Sequence, residues 1–296
     1  MIALSVLALC ALCALCALTA AGPATAGRAL AAAGPATARR GLAAAGPATA
    51  RRALATAGPA TARRPVTGTS APRRVVIGTS VRGRPIVAWA LGPGTARRKI
   101  LVVSCIHGNE CAGLAITSAL RHLRPPPGVQ LWLVPELNPD GAAADTRQNA
   151  HGVDLNRNFP YRWQYTSDPT YYSGPRAVSE PETRAAMALV GRIQPAVTIT
   201  YHQHMDLVDM AGGDRGVARR YAQVSGLRPT CLTFLPGEET QWSNHTFPHT
   251  TSFVVELPAG PVPPAALARH LRAVRDLELG QRSGSATRCD SVTTAE

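Results

Sequence analysis

The first acidic residue of this 296-residue chain is Glu110. Residues 1–99 hold 14 of the 31 Lys and Arg and none of the 18 Asp and Glu, so residues 100–296 carry 17 basic and 18 acidic side chains, a formal charge of −1. That asymmetry confines a folded body to the later part of the chain. The early part is built from a repeat, GPATARRGLAAA, GPATARRALATA and GPATARRPV, with a period of 12 residues and a degenerate copy at Gly22. The unit is too short, and too poor in large apolar residues, to stack as a solenoid. Gly-Pro punctuation and arginine pairs read instead as a basic low-complexity linker over residues 27–72. The net charge of +13 therefore belongs to the first third of the chain, where seven of the 14 basic residues lie in this linker and seven in residues 73–99. A basic folded face would point to nucleic acid; a basic linker does not, and no nucleic-acid partner is expected.

Residues 2–21 are apolar and lead to Ala24-Thr25-Ala26, small residues suited to cleavage. Residues 1–26 read as a signal peptide or an N-terminal anchor, with contact to a membrane only through that segment if it is uncleaved. The expected location is secreted or in the cell envelope. No basic residue precedes Arg28, so a mis-assigned start, and with it a cytoplasmic protein, is the alternative. Cys10, Cys13 and Cys16 each follow Leu and do not resemble lipoprotein cysteines. Cys105, Cys111, Cys231 and Cys289 form no C-x-x-C pair. They read most simply as small buried residues, with one disulfide left open.

Strand and helix signals begin near Arg73 and continue to about residue 280, leaving 281–296 as a tail. Residues 75–80 and 85–90 are β-type runs around Arg82-Gly83-Arg84, a hairpin signature. Residues 99–106 form a continuous apolar run, as a buried strand of a parallel or mixed sheet requires, and 112–123 reads as a helix. Residues 129–134, 196–201 and 252–257 are further strands. Ser179-Glu180-Pro181-Glu182 reads as a capping box opening a helix to Ile193. Helices are also expected over 215–226 and 264–279. Strands alternating with helices give an α/β domain over 73–280, a mixed central sheet with helices on both faces.

Several strands end on polar residues that core packing does not explain. His107-Gly108-Asn109-Glu110 follows the strand 99–106, His202 follows 196–201, and Glu256 stands inside Phe253-Val254-Val255-Glu256-Leu257. Ligands gather at the carboxyl ends of strands in open α/β sheets. A catalytic zinc needs three protein ligands and an open position, which His-x-x-Glu and a distant His can supply. A carboxylate in an apolar run is costly unless paired or metal-linked. Asn156 beside Arg157 can present amide and guanidinium donors to a carboxylate.

Together HGNE, NPDG, GVDLNRNFP, YHQH and FVVELP resemble the zinc carboxypeptidase family, which includes carboxypeptidase A and bacterial murein peptide amidases, and they occur in family order over residues 75–260. The bacterial amidase-like branch is the better match, because only 54 positions separate His202 from Glu256. The resemblance implies one zinc ion on His107, Glu110 and His202, with His204 as the rival third ligand. It implies Glu256 as the general base, Arg147 as the donor to the scissile carbonyl, and Asn156 with Arg157 as the clamp for a free substrate carboxylate. The implied substrate is a peptide with a free carboxylate, peptidoglycan-derived, cut between γ-D-glutamate and diaminopimelate. One departure stands out: the family's mobile tyrosine has no counterpart, since the sole Tyr between His202 and Glu256 is Tyr221. His245 and His249 fall in the corresponding stretch and read as loop residues. Two rival functions are carried, an N-acyl amino acid deacylase of related fold and a non-catalytic zinc or wall-peptide binding module. A binder would need neither Glu256 nor Arg147.

Overall fold

The structure is a computed structural model, and it describes residues 71–281 and 292–293. The expected leader, and the expected linker except for Ala71 and Pro72, lie outside the described residues. Among the described residues no helix is long and apolar enough to cross a membrane.

The strands are β1 (Arg73–Thr79), β2 (Pro85–Leu91), β3 (Arg98–Val103), β4 (Val129–Val134), β5 (Val197–Asp209), β6 (Arg228–Leu232), β7 (Thr251–Pro258) and β8 (Val292–Thr293). They form one mixed sheet in the order β1-β2-β4-β3-β5-β6-β8, with β7 paired to β5 off that path. The first hairpin is antiparallel and joins β4 antiparallel, while β3, β4, β5 and β7 run parallel. The helices are α1 (Gly113–Leu120), α2 (Pro139–Ala144), α3 (Pro181–Ile193), α4 (Arg215–Ser225), α5 (Glu239–Thr246) and α6 (Pro264–Glu278).

Alternation along the strands builds two cores. Ile100, Val102, Leu131, Leu133, Ile199 and Tyr201 face α1, α4 and α6. Leu101, Val103, Trp132 and Val134 face α3 and Trp242 of α5. Successive strand residues point to opposite faces, so an apolar run such as Ile100 to Val103 must be covered on both sides. Each Leu or Ile buried in this way contributes about 1.5–3 kcal/mol. The helical stripes match, with Leu189, Val190 and Ile193 buried on α3 and Ala273, Val274 and Leu277 buried on α6.

Four differences from the sequence expectation bear on the site. The capping box does not form: Glu180 is the N-cap residue of α3 and makes no side-chain cap bond, while Ser179 donates to Glu180 Oε1 at 2.6 Å. Glu182 instead accepts from the amide of Val81, tying α3 to the first hairpin. Strand β5 runs on through His202 to Asp209, because the polar residues after Tyr201 keep pairing with β7. The stretch around His245 is helical, as α5. Finally, Cys105 and Cys111 are bonded to each other, Cα to Cα 4.7 Å, and so bracket the HGNE loop.

Candidate metal centre

The parallel strands β3 and β7 end at the same edge, where β5 passes on through His202, and that edge carries the polar residues. Register pairing sets His202 of β5 beside Glu256 of β7. His107 and Glu110 lie in the loop after β3, which the Cys105–Cys111 disulfide spans. Gly108 allows this loop to press on the start of α2: a Cβ there would sit 1.9 Å from the carbonyl carbon of Gly141. No side chain fits, so the glycine fixes where its neighbour His107 can stand.

His107, Glu110 and His202 form a cluster that could hold a metal ion. Glu110 Oε2 lies 2.9 Å from His107 Nδ1 and 3.0 Å from His202 Nδ1, and the two Nδ1 atoms are 3.2 Å apart. A tetrahedral ion with bonds of about 2.0–2.1 Å sets its donor atoms roughly 3.3–3.4 Å apart. His107 Nε2 donates to Asp154 Oδ1 at 2.9 Å, which leaves Nδ1 as the lone-pair side facing the cluster. The buried Nε2 of His202 has no partner. Burial works against charge here, and the neighbours overcome it. Burial lowers the pKa of His107, but Asp154 and Glu110 raise it on balance. Burial raises that of Glu110, but the two histidines hold its carboxyl well below the usual range. Two imidazoles and a carboxylate converging on one point in this way suit a divalent cation between them.

His204, the rival ligand, is exposed and lies outside this cluster, although it lines the same cleft. Glu256 lines the cleft too, and burial pushes its carboxyl up, with His202 the main opposing charge. A carboxyl raised in this way is a better proton carrier near neutral pH than an ordinary one.

The cleft, about 830 Å³, also takes in Arg147, Asn156 and Arg157. Arg147 donates from Nε to Asp154 Oδ2 at 3.0 Å and from Nη1 to Glu110 Oε1 at 2.9 Å. It retains further N–H vectors for a ligand. Leu155–Arg157 form a single 3-10 turn, opened by Asp154, whose side chain accepts from the amide of Asn156. Asn156 Oδ1 accepts from the amide of Glu239 at 2.9 Å, leaving its Nδ2 donor for a substrate oxygen. Arg157 donates to the carbonyl of Asn156. Its own carbonyl is packed by Gly237, where φ is +74° and a Cβ would come within 2.2 Å. Burial pushes Asp209 up to about 6 and Glu238 up to about 7, and both line the cleft, Glu238 within reach of the Arg157 charge. One site thus offers donors to an anion and acceptors to a cation.

Sequence reasoning passed over Asp154, the hub of the site. It is fully buried and accepts from His107, Arg147 and the amide of Asn156, and its carboxyl is held well below the ordinary range despite burial. Its only sequence signal was the polar DLNRN loop, which an ordinary turn would share. The candidates for the missing tyrosine resolve differently. Tyr221 is sealed in the core against Tyr201 and His270. His245 stacks on Tyr161 at 4.1 Å and stands outside the cleft lining, as does His249. Tyr165 and Tyr171 line it instead.

Residues 127–221 match the family model of the zinc carboxypeptidases. The chain is 32% identical over 155 residues to murein peptide amidase A of Escherichia coli (strain K12), a match that covers 48% of this chain and 64% of that one. The chain thus spans less than two thirds of that relative's length. The crystal structure of murein-tripeptide amidase MpaA from Escherichia coli O157 superimposes with a TM-score of 0.56 at 28% identity, over 69% of this chain and 91% of that chain. Carboxypeptidase A from Helicoverpa armigera shares the fold, with a TM-score of 0.59 at 18% identity, over 69% of this chain and 67% of that chain.

Proposed function

We propose that this chain, whose residues 127–221 match the zinc carboxypeptidase family model, is a zinc-dependent hydrolase that cleaves an amide bond next to a free carboxylate, with a murein-type peptide as substrate. The observation that carries this reading is the meeting, at one sheet edge, of the His107–Glu110–His202 cluster, the carboxyl of Glu256 and the arginines Arg147 and Arg157. The cluster's donor set and spacing fit zinc, which when bound would supply Lewis acidity to a carbonyl and to a water.

In this reading Arg157 and the Nδ2 of Asn156 take the substrate's free carboxylate and so fix the position of the neighbouring amide. Arg147, braced by Asp154 and Glu110, turns its remaining N–H groups to the carbonyl oxygen, where negative charge develops. Glu256 removes the proton of the attacking water and delivers it to the departing amine. Asp209 and Glu238 face the same space and suit an ammonium group, as a diamino acid carries beside its carboxylate. The apolar leader supports action in the cell envelope.

A mass-spectrometric assay tests the reading. Wall tripeptides, C-terminally amidated peptides and N-acyl amino acids are incubated with the protein, with and without chelator. Chelator-sensitive release of diaminopimelate from the free-acid peptides is the expected result. Cleavage of N-acyl amino acids alone would move the assignment to a deacylase, and binding without turnover to a binding module.

A further inference from the structure

Tyr171 carries no motif in the sequence, yet its ring lies against both cleft arginines. The guanidinium carbon of Arg147 is 5.2 Å and that of Arg157 is 5.5 Å from the ring centroid. The loop that presents the ring is itself pinned. Asp168 Oδ1 accepts from the amides of Thr170 and Tyr171, at 2.7 and 3.3 Å, and Gln148 Nε2 donates to the carbonyls of Pro169 and Thr170. The next residue, Tyr172, accepts from the amide of Asp154 at 2.8 Å. Tyr171 is therefore a fixed surface, not a loose flap.

The two guanidinium groups repel each other and need partners to stay in one cleft. Arg147 is held by Asp154 and Glu110, whereas the side-chain hydrogen bond of Arg157 runs only to the carbonyl of Asn156. The negative face of an aromatic ring attracts a guanidinium and restricts its swing without neutralising it. A carboxylate in the ring's place would hold the arginines more tightly and cancel the charge that a substrate anion needs.

We propose that Tyr171 is a positioning residue whose ring face holds the guanidinium groups of Arg147 and Arg157 ready for the substrate carboxylate and carbonyl. The inference rests on the carboxylate-clamp reading given above. It assigns the role to the ring, not to the phenol hydroxyl.

Calorimetric titration of the metal-free protein separates the possibilities. The probes are γ-D-glutamyl-diaminopimelate and the same peptide with both diaminopimelate carboxylates amidated. Wild type should prefer the acid, and Tyr171→Phe should stay within about twofold of it. Tyr171→Ala and the bulkier Tyr171→Leu should each lose roughly five- to thirtyfold in affinity for the acid, the size of two such ring contacts, and hardly change for the amide. In the zinc-loaded enzyme the loss should divide between KM, through Arg157, and kcat, through Arg147. Tyr171→Ala and Tyr171→Leu proteins that keep the wild-type acid preference would overturn the inference alone. So would a Tyr171→Phe protein that falls as far as Tyr171→Ala, since the hydroxyl would then be the working group. A wild type with no acid preference would remove the clamp reading, and this inference with it.

Discussion

Tyr201 and His202 are neighbours on β5, face opposite sides of the sheet, and enter two buried polar networks of opposite kind. Tyr201 bonds the hydroxyl of Tyr221 at 2.6 Å, and Tyr221 bonds His270 Nδ1 at 2.7 Å. All three are 1% exposed or less, and each of the polar atoms named has a partner. His202 enters a cluster in which its Nδ1 meets the Nδ1 of His107 at 3.2 Å, on the ring side of His107 opposite its bond to Asp154. A buried polar group is costly unless satisfied. The first network is complete without a ligand and reads as structure; the second is incomplete without a cation and reads as a site. Burial alone would not have told them apart.

The sharpest way to break this contrast is His202→Ala. It should abolish zinc binding and activity, with zinc measured by plasma emission spectrometry, while leaving the metal-free fold intact by circular dichroism. Full zinc occupancy in that variant would show that the incomplete cluster is not the metal centre. Glu256→Gln should keep about one zinc per chain and lose ~10²–10⁴-fold in kcat, because an amide cannot take the water's proton. Near-normal turnover there would remove Glu256 from the chemistry.

The complete network makes a prediction of its own, in stability. Burial, with the nearby charge of Arg269 adding to it, pushes the His270 pKa down from 6.5 to about 4. Between those values the unfolded chain binds the proton and the folded chain does not. The contribution of His270 is therefore full above about pH 6.5 and is lost as pH falls towards 4, by ~1.4 kcal/mol per unit and on the order of 3 kcal/mol in all. Glu239 and Glu278, both pushed up to about 7 by burial, give the opposite slope over part of this range. The measurement is thus the difference between wild type and His270→Gln in urea unfolding at several pH values. The glutamine keeps an acceptor for Tyr221 but does not titrate. A difference that stays constant from pH 7 to 4 would show that His270 is not held neutral.

The contrast also explains what the sequence could disclose. Strands β3, β4 and β7 were legible because their apolar runs must be covered on two faces. The candidate ligands were legible because they follow such runs, where core packing has no use for them. The latter part of β5 was not, since Gln203-His204-Met205-Asp206 is polar and lies beside a cleft. Helix α5 was not, because Glu239 to Thr246 lacks a strong apolar stripe. Asp154 had only the polar DLNRN loop as a signal, which an ordinary turn would share, and Tyr171 had none. Their roles come from partners 47 residues away at His107 and 24 residues away at Arg147, and a sequence shows no such pairing until the chain is folded. The Cys105–Cys111 bond had the right residues, but their spacing is equally that of two separate small side chains in a tight loop.

Arg157 lies between the two cases, and its smaller effect is the more discriminating test. It is buried and makes one side-chain hydrogen bond, to the carbonyl of Asn156, with the Tyr171 ring against it. If those contacts are its purpose, it belongs with Tyr201 and braces its loop. If its remaining donors wait for a substrate carboxylate, it belongs with His202. A charge-assisted hydrogen bond contributes about 1.5–3 kcal/mol, so Arg157→Ala should lower kcat/KM on free-acid peptides by at least roughly tenfold. On C-terminally amidated peptides, which offer no carboxylate, the slow residual rate should hardly change. A brace would behave otherwise: its loss would disturb Asn156, and through Asp154 the ring of His107, so both substrates would suffer alike. Equal losses with zinc retained would place Arg157 in the complete class and leave the cleft without its carboxylate anchor. An acid-selective loss would place it among the groups that only a ligand satisfies.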